Sequence, residues 1–176
     1  MTGTDAVIRQ IDIPPAGRYA LDPVRSSLTL RTRLFGLHSL SATMHIAYGQ
    51  IDVDPAVPRA TVTAAVRAAS YTTDKPRRDN DIRSPRFLDA SKYPEISYRA
   101  STLSQDHGRW TLAGELTVRD VTRLVTLEID SVEVTGGGFR ALATTRLDRA
   151  DFGLTTAKWM GGRFYDIELT AAANPL

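Results

Sequence analysis

Apolar and polar side chains alternate with a period of two over most of the chain, the spacing of a β-strand that buries one face. Leu28, Leu30, Thr32 and Leu34 oppose Thr29, Arg31 and Arg33. Met44, Ile46 and Tyr48 oppose Thr43, His45 and Ala47, and Val62, Ala64, Val66 and Ala68 oppose Thr61, Thr63, Ala65 and Arg67. Further rows are Ile96, Tyr98, Ala100, then Trp110, Leu112, Gly114, Leu116, Val118, then Val125, Leu127, Ile129. Phe139, Ala141, Ala143, Thr145, Leu147 form another, and Tyr165, Ile167, Leu169, Ala171 the last. Gln105-Asp106-His107-Gly108 and Gly136-Gly137-Gly138 read as hairpin turns, Arg119-Asp120-Val121-Thr122 as a tight junction, and Asp54-Pro55 with Pro58 as a break. Strands joined by short turns pair antiparallel. The pattern predicts an all-β protein of about eight strands, an up-and-down barrel or a sandwich.

One stretch departs from alternation. Thr72 to Pro94 is polar and charged and contains Pro76, Pro85 and Pro94. A connection this long is expected to hold its own structure: one helical turn over Asp79 to Ser84 and another over Pro85 to Asp89, with proline at its first position. Phe87 and Leu88 would anchor it over one barrel end. A second irregular stretch, Gly153 to Arg163, carries Trp159 and Met160 and is expected to form a rim. Residues 1–16 read as a mobile arm with a short strand at Val7 to Ile13, and residues 17–176 as one domain.

The chain has 176 residues, 42% hydrophobic and 24% charged, enough for a core and too apolar for general disorder. Its net charge of +2 is small for a nucleic-acid binder. It has no cysteine, which excludes disulfides, iron–sulfur clusters, thiolate zinc sites and cysteine nucleophiles. The first residues contain Asp5, Arg9 and Asp12 and lack the apolar run of a secretory signal, and no run is long enough for a membrane-spanning helix. The expected location is the cytoplasm.

An eight-stranded barrel is just wide enough to be filled by side chains or to hold one small ligand. Ala64, Ala68, Ala100, Gly114, Ala141, Ala143 and Ala171 fall on the inferred inner rows. Small residues there either leave an apolar cavity for an extended lipid or mark places where sheet faces pinch together. Both readings stand on the residues alone.

Four blocks carry a family resemblance. They are Tyr19 to Pro23 with Ser26, Arg78 to Asp89 followed by Lys92 to Tyr98, Gly114 to Arg123, and Arg149 to Leu154. In order and spacing they resemble the YceI-like family, also called polyisoprenoid-binding or lipid/polyisoprenoid-transport-like proteins. The resemblance implies a lipocalin-like, extended antiparallel barrel with an apolar tunnel and a long isoprenoid or other amphiphile as partner. It also implies no established catalysis and a homodimer, which is frequent in the family, whose members are in many cases periplasmic. Arg25, Leu34 and Asp81 stand where the family commonly has histidines, and Asp120 where it has a turn glycine. Aspartate tolerates left-handed backbone, so the turn is expected to form.

Strand parity and the family blocks together give the ligand-facing set: Leu28, Leu30, Met44, Val66, Tyr98, Leu127, Ile129, Ala141 and Ile167, with Phe87 and Phe152 near an opening. Arg78, Asp79 and Arg83 form the strongest polar cluster, either meeting a phosphate or carboxylate head group at the tunnel mouth or serving the local fold, with Asp79 as a helix cap. His38, His45 and His107 lack the spacing of a metal motif, so no metal and no cofactor is expected. Ser26, Ser27 and Asp22 have no histidine base nearby, and no catalytic constellation is apparent. The leading reading is binding, sequestration or transport of a long apolar lipid. The alternatives are an enzyme acting on an amphiphile through Arg78 and Asp79, or a stress-related structural protein with a filled core.

Overall fold

The alternating rows become ladders. The computed structural model describes residues 10–54, 56, 59–156 and 161–176. Among them are ten strands: β1 (Gly17–Leu21), β2 (Ser27–Leu34), β3 (His38–Met44), β4 (Ile46–Asp54), β5 (Arg59–Arg67), β6 (Glu95–Asp106), β7 (Arg109–Val118), β8 (Val121–Thr135), β9 (Gly138–Asp148) and β10 (Phe164–Pro175). The helix α1 (Pro76–Arg83) and two short 3₁₀ segments, Ala68–Ser70 and Arg149–Phe152, complete the elements. All ladders between the named strands are antiparallel, and pairing of β1 with both β4 and β10 closes the sheet.

Ten segments make an eight-stranded barrel because two wall positions are each filled by two successive strands. β1 and β2 both pair with β10, at Leu21↔Ala173 and Leu28↔Leu169, and so follow one another along a single edge. On the other side β3 pairs with β2 and β4 with β1, with only His45 between them. The hairpin tip that joins β2 to β3, with Phe35 at φ 51° and Gly36 at φ 70°, had no counterpart in the alternation pattern.

The tight turns follow their chemistry. His107 (φ 47°) and Gly108 (φ 77°) are both left-handed, as a two-residue hairpin with matching twist requires. At the β7–β8 turn the left-handed residue is Arg119 (φ 58°), one position before the expected Asp120. Three bulges shift the pleat: between Ile46 and Tyr48, between Ala100 and Thr102, and between Ile129 and Ser131. A one-residue insertion moves all later side chains to the other face. Tyr48, expected inside, is therefore 53% exposed and donates to Glu95 Oε2 at 2.9 Å.

Helix α1 begins at Pro76, with proline at its first position, three residues before the expected turn. Pro85 to Asp89 is a hydrogen-bonded turn and not a second helix: Phe87 N donates to Ser84 O at 3.0 Å and Leu88 N to Ile82 O at 2.8 Å. This segment covers the end of the barrel where β10 begins. Ile82, Phe87 and Leu88 pack there with Tyr71, Val118, Val125, Phe152 and Leu154. A second apolar cluster, containing Tyr19, Ile51, Val132 and Phe139, fills the other half. There β8, with 15 residues, outruns β7, with 10. The free edge is taken by the arm: Asp12 N donates to Val132 O at 2.8 Å, Val132 N to Gln10 O at 3.0 Å, and Val134 N to the Asp12 carboxylate at 3.1 Å. Residues 10–12 are thus seated on the barrel, while the earlier part of the expected arm strand, and Trp159 and Met160 of the expected rim, lie outside the described residues.

Candidate functional site: an apolar tunnel

A cavity of about 370 Å³ runs inside the barrel, and all ten strands contribute side chains to its wall. With β10 at 12 residues, a strand rise of about 3.3 Å and a tilt near 40° give the wall an axial height of about 30 Å. The bore is therefore long and narrow.

Each residue expected to face a ligand lines this cavity. Leu28 and Leu30 come from β2, Met44 from β3, Val66 from β5, Tyr98 from β6, Leu127 and Ile129 from β8, Ala141 from β9 and Ile167 from β10. Phe87 and Phe152 line it as well, but not beside an opening. They are 5% and 4% exposed and belong, with Ile82 at 1%, to the buried cluster under α1. At the opposite end the lining includes Ile13, which is 66% exposed, and the exposed Asp54 and Arg59. The described rim therefore opens beside Ile13 and is sealed under the cap. The expectation that Phe87 and Phe152 flank the mouth is corrected to the blind end, because a large apolar ring is stable where packing covers it.

The small residues divide. Ala64, Ala141, Ala143 and Ala171 line the cavity and set its width. Ala100 and Gly114 instead meet at a bulge: a Cβ on Gly114 would lie 2.5 Å from the Ala100 Cβ, so glycine is required by close approach. Ala68 lies beyond β5 in a 3₁₀ turn. Both sequence explanations of small inner residues operate, at different places.

The polar groups of the blind end are mostly spent on the fold. Asp79, 5% exposed, does not cap α1; its carboxylate accepts from Thr73 N at 3.0 Å and from Thr73 Oγ1 at 2.6 Å. Arg83 donates through Nε to Tyr71 O at 3.0 Å and through Nη2 to the same oxygen and to Thr72 Oγ1. Arg78 is half-buried on the same helix. This cluster sits at the sealed end, tying α1 to the segment between the 3₁₀ turn and the helix. Arg83→Ala is accordingly expected to lower the melting temperature by several degrees while the folded fraction retains ligand, since it removes a charged donor from a part-buried carbonyl. Differential scanning fluorimetry with lipid analysis checks this; lost ligand at unchanged melting would assign Arg83 to a head group instead.

Sequence reasoning missed Arg149 and Tyr71 as cavity-lining groups. Arg149 is 7% exposed; its Nη1 donates to Leu154 O at 2.9 Å and Thr156 O at 2.7 Å, and its guanidinium lies 5.4 Å from the Phe87 ring centre. The available signal was an arginine opening an otherwise apolar-anchored block. Tyr98 spans inward from β6 with its hydroxyl 3.0 Å from both Leu112 O and Val125 O, and burial pushes its pKa up to about 12. Burial raises the hydroxyls of Tyr71 and Tyr165 as well, so all three stay neutral at physiological pH.

This closed antiparallel sheet has known counterparts. Residues 19–173 match the YceI-like domain. The chain belongs to the YceI-like family. A UPF0312 protein of Vibrio parahaemolyticus is 29% identical over 169 residues, covering 88% of each chain. The protein YceI of Escherichia coli is 32% identical over 108 residues, 58% of this chain and 56% of that one. Among solved structures, Burkholderia cenocepacia BcnA superposes with a TM-score of 0.78 at 17% identity, covering 88% of this chain and 99% of its own. A polyisoprenoid binding domain from Saccharophagus degradans superposes with a TM-score of 0.65 at 10% identity, over 92% of this YceI-like chain and 100% of that domain. At these identities the superpositions establish the shared barrel.

Proposed function

We propose that this YceI-like protein binds one long apolar molecule, a polyisoprenoid or similar extended amphiphile, inside the barrel and carries or sequesters it. The observation that supports this most is the tunnel itself: about 370 Å³ of space lined by apolar side chains from all ten strands. Close-packed proteins do not keep such a space within a core. The description of the Saccharophagus degradans relative as a polyisoprenoid binding domain agrees with it.

The energetics suit an extended chain. Each buried methylene contributes about 0.8 kcal/mol relative to water. Lipid in a membrane is already out of water, so net transfer is nearly balanced and is decided by how well chain length and width match the bore. Leu28, Leu30, Met44, Val66, Tyr98, Leu127, Ile129, Ala141 and Ile167 would hold the chain, and Phe87 with Phe152 would stop its inner end.

Native mass spectrometry of the purified protein, followed by solvent extraction, tests the reading. A stoichiometric adduct that extracts as a prenyl or other long-chain lipid is the expected result. Protein that is empty and rejects added prenyl lipids would overturn it in favour of a structural role. A lipid consumed by the wild type but spared by Asp79→Asn would favour an enzyme. The same spectrum reads out the homodimer expected from the family.

A further inference from the structure

The lining of the tunnel's blind end contains a buried hydroxyl that the fold leaves unpaired. Tyr71 lines the cavity and is 3% exposed, yet its hydroxyl has no hydrogen-bond partner among the described residues. Buried hydroxyls are nearly always paired, and an unpaired one destabilises the protein that holds it. The neighbouring groups are committed elsewhere. Asp79 is taken by Thr73, Arg83 by the Tyr71 and Thr72 oxygens, and Arg149 Nη1 by the Leu154 and Thr156 carbonyls. Tyr71 is thus an unpaired neutral donor at the point where a threaded chain would end, within electrostatic reach of Tyr165, Asp79 and Arg78.

We propose that this end of the cavity is a polar subsite built on the Tyr71 hydroxyl, which donates to an uncharged acceptor oxygen, a carbonyl or hydroxyl, at the terminus of the bound chain. The inference rests on the carrier reading above and adds orientation and head-group class: the ligand enters polar end first and its tail lies towards Ile13. The absence of charge follows from the route. A carboxylate or phosphate would have to shed its water and pass the whole apolar bore. At the end it would meet Ile82, Phe87, Phe152 and Leu154, and the Arg149 guanidinium that also lines this end is already held through Nη1 by the Leu154 and Thr156 carbonyls, so the cost of stripping water from a charged group along the whole bore is not recovered there. A carbonyl or hydroxyl oxygen loses less water and satisfies Tyr71 in return.

The test uses the full-length protein, freed of lipid by delipidation, and three probes: geranylgeraniol, the hydrocarbon lacking its hydroxyl, and geranylgeranyl phosphate. The wild type is expected to bind the alcohol about five- to tenfold more tightly than the hydrocarbon, the worth of one hydrogen bond between neutral groups. In Tyr71→Phe that ratio is expected to fall to about one. The melting temperature of the lipid-free variant is expected to equal or exceed that of the wild type, because an unpaired buried hydroxyl has been removed. Equal binding of alcohol and hydrocarbon by the wild type, a preference for the phosphate, or a ratio that survives Tyr71→Phe would each overturn the subsite while leaving the carrier reading intact. Binding of none of the probes would overturn the carrier reading and the subsite with it.

Discussion

Replacing Ala141 by tryptophan is expected to weaken binding of a long prenyl chain by about a hundredfold or more while leaving the barrel folded. Ala141 lies on β9, opposite Ala171 on β10 and Val132 on β8, and its methyl group borders the bore. These positions belong to the half of the core that lies towards Ile13, so a chain entering there must pass them. An indole at 141 fills the passage. Loss of four buried methylenes at about 0.8 kcal/mol each removes about 3 kcal/mol, which is two orders of magnitude in affinity. The side chain enters existing space, so the overpacking penalty of a filled core is avoided and the melting temperature should hold or rise. Titration with a fluorescent prenyl alcohol measures the effect. Unchanged affinity would mean that the ligand does not lie in the bore.

Phe87→Ala should be the most destabilising single truncation of the cap, at about 4 kcal/mol. The ring is 5% exposed and borders the blind end, with the Arg149 guanidinium on one face. Its backbone carbonyl accepts from Arg119 Nη1 at 3.2 Å, linking the cap to the β7–β8 turn. Truncation enlarges the cavity beside a buried cation and leaves α1 poorly seated. For a chain of this length the loss corresponds to a fall in melting temperature of about 10 °C. Phe87→Leu, which keeps most of the volume, should cost about 1 kcal/mol. If alanine and leucine behave alike, the ring does not seal the tunnel. The two substitutions also separate the roles of the wall: Ala141→Trp should remove binding without loss of stability, and Phe87→Ala should remove stability first.

Much of this was legible in the residues because a barrel writes itself as alternation. The inner rows from Leu28 to Leu30, Leu127 to Ile129 and Tyr165 to Ala171 face the cavity as their parity requires. Legibility failed where the chain breaks period two. The bulge after Ile46 turned Tyr48 outward and brought Ile51 and Val53 inward, and nothing local to Ala47 announces an inserted residue. The helix starts three residues before the expected turn, unmarked by periodicity because nearly all its residues are charged or polar and Ile82 is its one apolar residue in the core. Short apolar anchors in a charged segment give no period to read. Arg78, Asp79 and Arg83 stand out in the sequence as a polar cluster, but the partners of Asp79 and Arg83, Thr73 and the Tyr71 carbonyl, come from the stretch before the helix and depend on how it folds back. Small inner residues were ambiguous for a physical reason: Ala141 and Gly114 look alike in a row, yet one borders space and the other touches Ala100.

A crystal structure of the protein as purified from cells is the most direct test of a lipid-filled bore. Continuous tubular density along the barrel axis, entering beside Ile13 and ending near Tyr71 and Phe152, is the expected result. An interior occupied by the protein's own side chains, with no passage between Ala141 and Ala171, would contradict it.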